Sequence, residues 1–190
     1  MFIDNIVDAL LEVLNIRQGY VPRKILIDGI KNVVKTKNIF SFSKLFQTFE
    51  NMLEEERQKD KSDKTRISAI CRMLERLMPY ENLASIYVKR PEKLQINRQP
   101  VTVLQLSDYS DTKKGAISNF FISLIWKDVQ HIKQKKYFDI ILLDEFQKIK
   151  ISEDSSILQI LREGRKFDFD AILLSQFVGN YDSDILSALM

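Results

Sequence analysis

Two consecutive acidic residues, Asp144 and Glu145, follow the apolar segment 140–143 and are the residues of this sequence best placed to do chemistry. An apolar run of this kind predicts a buried strand of a parallel sheet, and open α/β folds bind ligands at the carboxyl ends of such strands. In nucleotide hydrolases, one carboxylate at this position holds hydrated Mg²⁺ and a second orients or deprotonates the attacking water. The alternative is that both acids simply begin a solvated loop.

Two further groups of polar residues lie downstream at spacings that suit the same chemistry. Arg162, Arg165 and Lys166 end a predicted helix and could supply positive charge to a phosphate, including one on a neighbouring subunit. Gln176 ends the next predicted strand, where its amide could sense a γ-phosphate or hold the lytic water. The alternative is a structural role, in which the cations interact favourably with the negative end of the helix dipole and Gly164 marks the end of the helix.

These side chains need strands and helices that bring them to one edge of a sheet. Three short apolar runs predict strands, at residues 101–106, 138–143 and 171–175. Predicted helices at about 112–136 and 155–167 separate them. Continuous apolar strands separated by helices are typical of a parallel sheet covered on both faces. The sequence therefore predicts the α/β class, with three recognisable strands in residues 100–190.

Residues 1–99 have a different pattern, in which apolar residues recur at helical spacing. Pro22 suits the first turn of one helix, and Ser41 or Ser43 can cap the next. The clearest apolar stripe runs from Ile67 to Met78, before Pro79 ends it. We expect an all-helical subdomain here.

The composition excludes several other classes of protein. The 190 residues are 45% hydrophobic and 29% charged, which is typical of a globular chain, and no run is long enough to cross a membrane. Cys71 is the single cysteine, so no internal disulfide forms and a cytoplasmic location is expected. A net charge of +3 is too small to identify a nucleic-acid partner. The five glycines are too scattered to form a phosphate-cradling loop.

The second half of the chain resembles the FtsK–HerA group of DNA-pumping ATPases, a branch of the RecA-like P-loop fold. The resemblance rests on Leu-Asp-Glu-Phe-Gln at 143–147, on Arg-Glu-Gly-Arg-Lys-Phe at 162–167 and on the strand at 171–176. Within the group, these sequence motifs are similar to those of HerA-like and conjugative-coupling members and of DptH-like ATPases of phosphorothioation-dependent DNA restriction. The resemblance covers residues 100–189 and is only architectural over 1–99, where the family has a helical insertion.

The resemblance implies a role for five residues. Asp144 matches the Walker B aspartate that holds Mg²⁺ through water, and Glu145 matches the catalytic glutamate. Gln176 matches the glutamine sensor at the end of the next strand. Arg162 or Arg165 matches the arginine finger, which acts in trans in a ring. ATP and Mg²⁺ are therefore the cofactors expected in the intact parent.

The resemblance further implies the carboxy-terminal part of a motor that moves on or remodels double-stranded DNA, as a hexameric ring. DNA restriction, defence or conjugation is the expected setting, with a nuclease or another defence protein as a candidate partner. The family's Gly-rich Walker A loop is missing from this sequence, so we expect the chain alone to bind no nucleotide and to be inactive. Two alternatives stay open: a non-catalytic RecA-like module that serves protein interaction or assembly, and a helicase or AAA-type remodeller.

Overall fold

The chain forms two compact units, Met1–Gln105 and Leu106–Met190. The domain boundary expected from the sequence lies between residues 99 and 100. It concerns the domains of the family that the sequence resembles, and it stays a prediction. This computed structural model describes residues 2–16, 19–37, 39–80, 88–89, 101, 103–131, 139–149, 151 and 155–176. Those residues are mostly helical, with a small parallel sheet of two strands.

The first unit is built around helices, as expected. Its described helices are α1 (Phe2–Val13), α2 (Tyr20–Lys37), α3 (Phe42–Arg57) and α4 (Lys64–Leu77). Helix α3 begins after Ser41, whose side chain accepts a hydrogen bond from the backbone N–H of Lys44 at 3.3 Å, so the predicted cap is confirmed. Asp63 caps α4 by accepting from the backbone N–H groups of Thr65 and Arg66.

A buried carboxylate lies among these helices. The side chain of Glu56 on α3 is 5% exposed, and its Oε2 lies 2.7 Å from Lys59 Nζ and 3.3 Å from Arg66 Nε. The hydrogen bond from Lys59 lowers the pKa of Glu56, with the nearby charge of Arg66 acting in the same direction and burial opposing both. The acid is therefore held in its charged form inside the unit.

The expectation of an all-helical first unit is wrong in one detail. Strand β1 (Ile39–Phe40) pairs antiparallel with strand β2 (Val88–Lys89). Each strand contains two residues, which is too short for an alternating pattern to be visible in the sequence.

The second unit contains the last four elements of the strand–helix–strand–helix–strand order that the sequence predicts. Its elements are α5 (Asp111–His131), β3 (Asp139–Leu143), α6 (Ser156–Glu163) and β4 (Phe169–Leu173). The two strands are adjacent and parallel, with Asp139 opposite Phe169 and Leu143 opposite Leu173. Residues 132–136 of the predicted long helix lie outside the described residues.

Both helices of this unit pack on the same face of the sheet. Trp126 of α5 is fully buried, and its Nε1 donates to Gln159 Oε1 of α6 at 2.9 Å. The sheet contributes the side chains that alternate toward this core, namely Ile141, Leu143, Ala171 and Leu173. The buried cluster consists of Ile122, Trp126, Val129, Phe146, Ile157, Leu158, Ile160 and Phe169.

The opposite face of the sheet is uncovered in the described part of the chain. It carries Ile140, Leu142, Ile172 and Leu174, whose side chains are between 44% and 58% exposed. We call these four residues the open face. A sheet covered on both faces, as the sequence predicts, is therefore not what the described residues form.

The predicted strand at 101–106 is also wrong for the residues described there. Val101 and residues 103–106 have no regular structure, and Val101 and Val103 are 76% and 81% exposed. A strand exists only where a partner satisfies its backbone groups, and no described residue pairs with this segment. The β-branched residues of this segment were therefore not sufficient to form a strand. The described parallel sheet has two strands rather than three.

No helix among the described residues is sufficiently long and apolar to span a membrane.

Candidate functional site

The carboxyl ends of β3 and β4 are joined by backbone hydrogen bonds, which place the residues after each strand side by side. The N–H of Leu174 donates to the carbonyl of Leu143 at 2.9 Å, and the N–H of Phe146 donates to the carbonyl of Leu174 at 3.0 Å. One residue further along each segment, Ser175 Oγ donates to Gln147 Oε1 at 3.0 Å. The polar ends of the two strands therefore form one continuous site, which we call the carboxyl edge.

Glu145 adopts a left-handed backbone conformation directly after β3, with φ 52° and ψ 42°. The other described residues with positive φ besides glycine are Asn15 and Asp168, whose short polar side chains tolerate this region. Glutamate has no such advantage. Strain of this kind persists where surrounding structure fixes it, and it concentrates at functional sites. The turn presents the Glu145 side chain at the carboxyl edge, where it is 44% exposed.

Asp144 lies at the same edge and supports this turn. Its Oδ1 accepts a hydrogen bond from the backbone N–H of Glu145 at 2.8 Å. The described residues contain no cluster of three or more His, Cys, Asp or Glu side chains that would hold a metal by themselves. A single exposed carboxylate nevertheless fits Mg²⁺, which keeps several waters and is bound by one or two carboxylates together with substrate phosphates.

Lys148 holds the Glu145 carboxylate from within the same turn. Its Nζ lies 2.8 Å from Glu145 Oε2 and 3.4 Å from Asp111 Oδ1. The hydrogen bond to Glu145 raises the pKa of Lys148, and the charges of Asp111 and Glu145 add to it, whereas desolvation opposes the shift. Lys148 is therefore the charged centre of a network between the turn and the start of α5.

The first turns of α5 pack tightly on this network. A Cβ atom at Gly115 would lie 2.9 Å from the carbonyl oxygen of Lys148, so glycine allows the helix to approach the turn. Asp111 also pairs with Lys114 at 3.7 Å on the same helix. The start of α5 thus fixes the backbone that carries Lys148 and Glu145.

Arg162 and Arg165 lie at the other end of the sheet. Helix α6 ends at Glu163, and the short turn Gly164–Phe167 leads directly into β4 at its amino end. A five-residue strand spans about 17 Å, so this end and the carboxyl edge are separated by roughly that distance. Both arginines are exposed. The structure therefore does not bring them to Asp144 and Glu145 within one chain.

Gln176 is exposed and follows Ser175 by one residue. Its position after β4 places it at the same edge of the sheet as Asp144 and Glu145, because the two strands are parallel and in register.

Sequence reasoning missed Lys148, Gln147 and Asp111. The spacing of Glu145 and Lys148 by three residues is a signal that could have suggested the first ion pair. Nothing in the sequence indicates that Asp111 joins them, since this contact depends on how α5 packs on the turn.

No protein-family model matches this sequence, and no curated protein is significantly similar to it. The contacts at the carboxyl edge are therefore the basis for a functional proposal.

Proposed function

We propose that this chain is the carboxy-terminal part of a RecA-like ATPase domain of the FtsK–HerA type, which hydrolyses ATP to move along or remodel double-stranded DNA. The observation that carries the proposal is the carboxyl edge itself. Asp144 and Glu145 follow one strand, Ser175 and Gln176 follow the adjacent parallel strand, and hydrogen bonds connect the two segments.

The backbone of Glu145 adds support. A glutamate in the left-handed region costs folding free energy, of order 1–3 kcal/mol for such strained residues. Its presence between Asp144 and the buried Phe146 is readily understood if a carboxylate is needed at this point.

Each residue has a chemical task in the proposed reaction. Asp144 would hold Mg²⁺ through water, and the ion would neutralise charge on the phosphates. Glu145 orients the attacking water and accepts its proton, after exchanging its contact with Lys148 for one with the water. Gln176 contributes a neutral amide that contacts the water or the terminal phosphate.

Arg162 and Arg165 act on a neighbouring subunit in this proposal. Their position at the amino end of the strands supports a role in trans, because a single chain separates them from Asp144 by about the length of a strand. A guanidinium supplied by a neighbour would stabilise negative charge that develops on the transferred phosphoryl group. A ring of subunits, hexameric as in the family that the sequence resembles, would repeat this arrangement.

The test is Glu145→Gln in the complete polypeptide that carries this sequence and a phosphate-binding loop. We expect ATP turnover to fall by about 10²–10⁴-fold, with Mg-ATP binding retained, because general-base catalysis is lost and the binding groups are not. Glu163→Gln is a matched control, since Glu163 also pairs with a lysine three residues away, at 3.7 Å. Normal hydrolysis by Glu145→Gln would contradict the assignment.

A second candidate is a non-catalytic module that docks onto a true ATPase. The absence of a Gly-rich phosphate-binding loop from these 190 residues favours it. A fluorescent ATP analogue separates the two candidates. Mg²⁺-dependent binding to the complete polypeptide, weakened by Asp144→Asn, supports the ATPase, and no binding supports the module.

A further inference from the structure

One cation at the carboxyl edge lies between two carboxylates that come from different elements. Lys148 Nζ is 2.8 Å from Glu145 Oε2 in the turn after β3, and 3.4 Å from Oδ1 of Asp111, the first residue of α5. The same Asp111 oxygen lies 3.7 Å from Lys114 Nζ. The four side chains therefore form a line of alternating charge, in which Lys148 has a close acceptor and a second one within reach.

The backbone that carries this line is fixed, whereas its side chains are free to turn. The N–H of Glu145 donates to Asp144 Oδ1, and the carbonyl of Lys148 packs against Gly115 of α5. The side chains of Lys148, Glu145 and Asp111 are 31%, 44% and 66% exposed, so each has solvent on one side. Transfer of Lys148 from Glu145 to Asp111 therefore requires only side-chain rotation.

The two arrangements of Lys148 differ little in free energy. Ion pairs between partly exposed side chains are weak, and the ammonium group keeps a carboxylate partner in both arrangements. The transfer replaces the contact with Glu145 at 2.8 Å by a closer contact with Asp111, which is already 3.4 Å away. A ligand that interacts differently with the two arrangements can therefore shift their populations.

Only one of these arrangements leaves both oxygens of Glu145 available to a water molecule. A general base must lie within hydrogen-bond distance of the proton that it accepts. In the structure, Oε2 of Glu145 instead accepts a hydrogen bond from Lys148. When Lys148 turns to Asp111, this oxygen is released, so the position of Lys148 sets the fraction of molecules in which Glu145 is competent.

We propose that Lys148 restrains Glu145 and that Asp111 accepts Lys148 when Glu145 is released, so that the start of α5 regulates the carboxylate. Lys148 and Asp111 are positioning residues in this scheme, because they act through Glu145. The effect on turnover rests on the proposed function, whereas the exchange of partners is a property of the chain alone.

The first test detects the exchange in the 190-residue chain without nucleotide. NMR identifies the acceptor of Lys148 through the coupling of Nζ to the carboxylate carbon across the hydrogen bond. We expect coupling to Glu145 in the wild type and to Asp111 in Glu145→Gln. Lys59 pairs with Glu56, three residues away, at 2.7 Å, and this matched control should keep its acceptor in both chains. Failure of Lys148 to pair with Asp111 in Glu145→Gln would overturn the proposal.

The second test measures ATP turnover by the complete polypeptide that carries this sequence and a phosphate-binding loop. Lys148→Met should raise kcat about two- to fivefold at unchanged KM for Mg-ATP, because release of Glu145 no longer breaks an ion pair. Asp111→Asn should lower kcat by a similar factor, and this effect should disappear in the double variant. Lys148→Arg should restore the wild-type rate, and Lys59→Met should leave it unchanged.

The two tests separate failure of this inference from failure of the proposed function. Normal hydrolysis by Glu145→Gln would contradict the proposed function, and with it the effect on turnover, but not an exchange of partners seen by NMR. If Glu145→Gln is inactive, an unchanged or lower kcat in Lys148→Met would overturn the restraint. An effect of Asp111→Asn that persists in the absence of Lys148 would overturn it as well.

Discussion

Lys148 Nζ lies 2.8 Å from Glu145 Oε2, within a turn that begins directly after β3. The acid proposed as the catalytic base is thus paired with a cation in the described structure. Asp111, at the start of α5, holds the same cation at 3.4 Å. Any ligand that recruits Glu145 must compete with Lys148 for its carboxylate.

Removal of the Glu145 charge should lower the pKa of Lys148. The hydrogen bond to Glu145 is the largest cause of its shift above the ordinary value of 10.5, so Glu145→Gln should return it toward that value. NMR titration of the lysine side-chain signals measures this directly. Glu163→Gln should leave Lys148 unchanged, and an unchanged Lys148 pKa in Glu145→Gln would show that the ion pair does not form in solution.

The same shift has a consequence for stability. A lysine whose pKa is raised by folding stabilises the folded chain at neutral pH, and this contribution is lost as the pH rises through the folded-state pKa, above 10.5. The stability difference between wild type and Lys148→Met should therefore disappear in strongly alkaline solution. Urea unfolding at neutral and alkaline pH, followed by Trp126 fluorescence, measures it. A constant difference would contradict the ion pair.

Phe146 anchors the turn, and its truncation should destabilise the second unit. Its side chain is 1% exposed within the core around Trp126. Phe146→Ala should cost about 3–5 kcal/mol, because a large cavity replaces the ring. Leu142→Ala is the control: it truncates an exposed side chain and should change the free energy of unfolding by less than about 0.5 kcal/mol. Denaturant unfolding measures all three variants, and the loss of unfolding free energy in Phe146→Tyr should lie between those of Phe146→Ala and Leu142→Ala.

Gly115 should not accept a side chain. An added Cβ would meet the carbonyl oxygen of Lys148 at 2.9 Å, and backbone cannot move aside as a flexible side chain can. The overpacking cost of about 1–3 kcal/mol should exceed the gain of about 1 kcal/mol in helix propensity. Gly19→Ala, where the nearest atom is 3.6 Å away, should leave Trp126-monitored unfolding unchanged. A more stable Gly115→Ala would mean that α5 lies further from the turn.

Glu56 should make the first unit sensitive to acid. Its pKa is lowered in the folded chain, so its contribution to stability is present above the ordinary value of 4.5 and is lost as the pH falls through the folded-state pKa. Glu56→Gln should lower Tm at pH 7 and have a smaller effect at pH 3, as followed by circular dichroism. Glu54→Gln, at an exposed position of α3, should have little effect at either pH. Equal losses at both pH values would assign the effect to packing.

The sequence predicted those elements whose signals are local. The continuous apolar runs before Asp144 and Ser175 predict two parallel strands, and both strands are confirmed, but their predicted burial on both faces is wrong for the described residues. Ser41 has a capping side chain in the position that a helix start requires, and this cap is also confirmed.

The features that the sequence did not predict depend on contacts between distant segments. Val101 and Val103 have strand-like side chains, but a strand forms only with a partner, which composition cannot reveal. The contact of Lys148 with Asp111 likewise joins residues that lie 37 positions apart in the sequence. The chemical roles of Asp144, Glu145 and Gln176 stay predictions, because they depend on a nucleotide.

The left-handed backbone of Glu145 implies a trade between stability and activity. Asparagine or glycine would adopt this conformation at a lower free-energy cost, so Glu145→Asn or Glu145→Gly offers the fold relief that glutamate does not. A laboratory selection for thermal resistance alone should therefore tend to replace Glu145. A selection that also demands function should retain Glu145. The residue found at position 145 among the selected variants therefore shows whether stability alone or function as well was under selection.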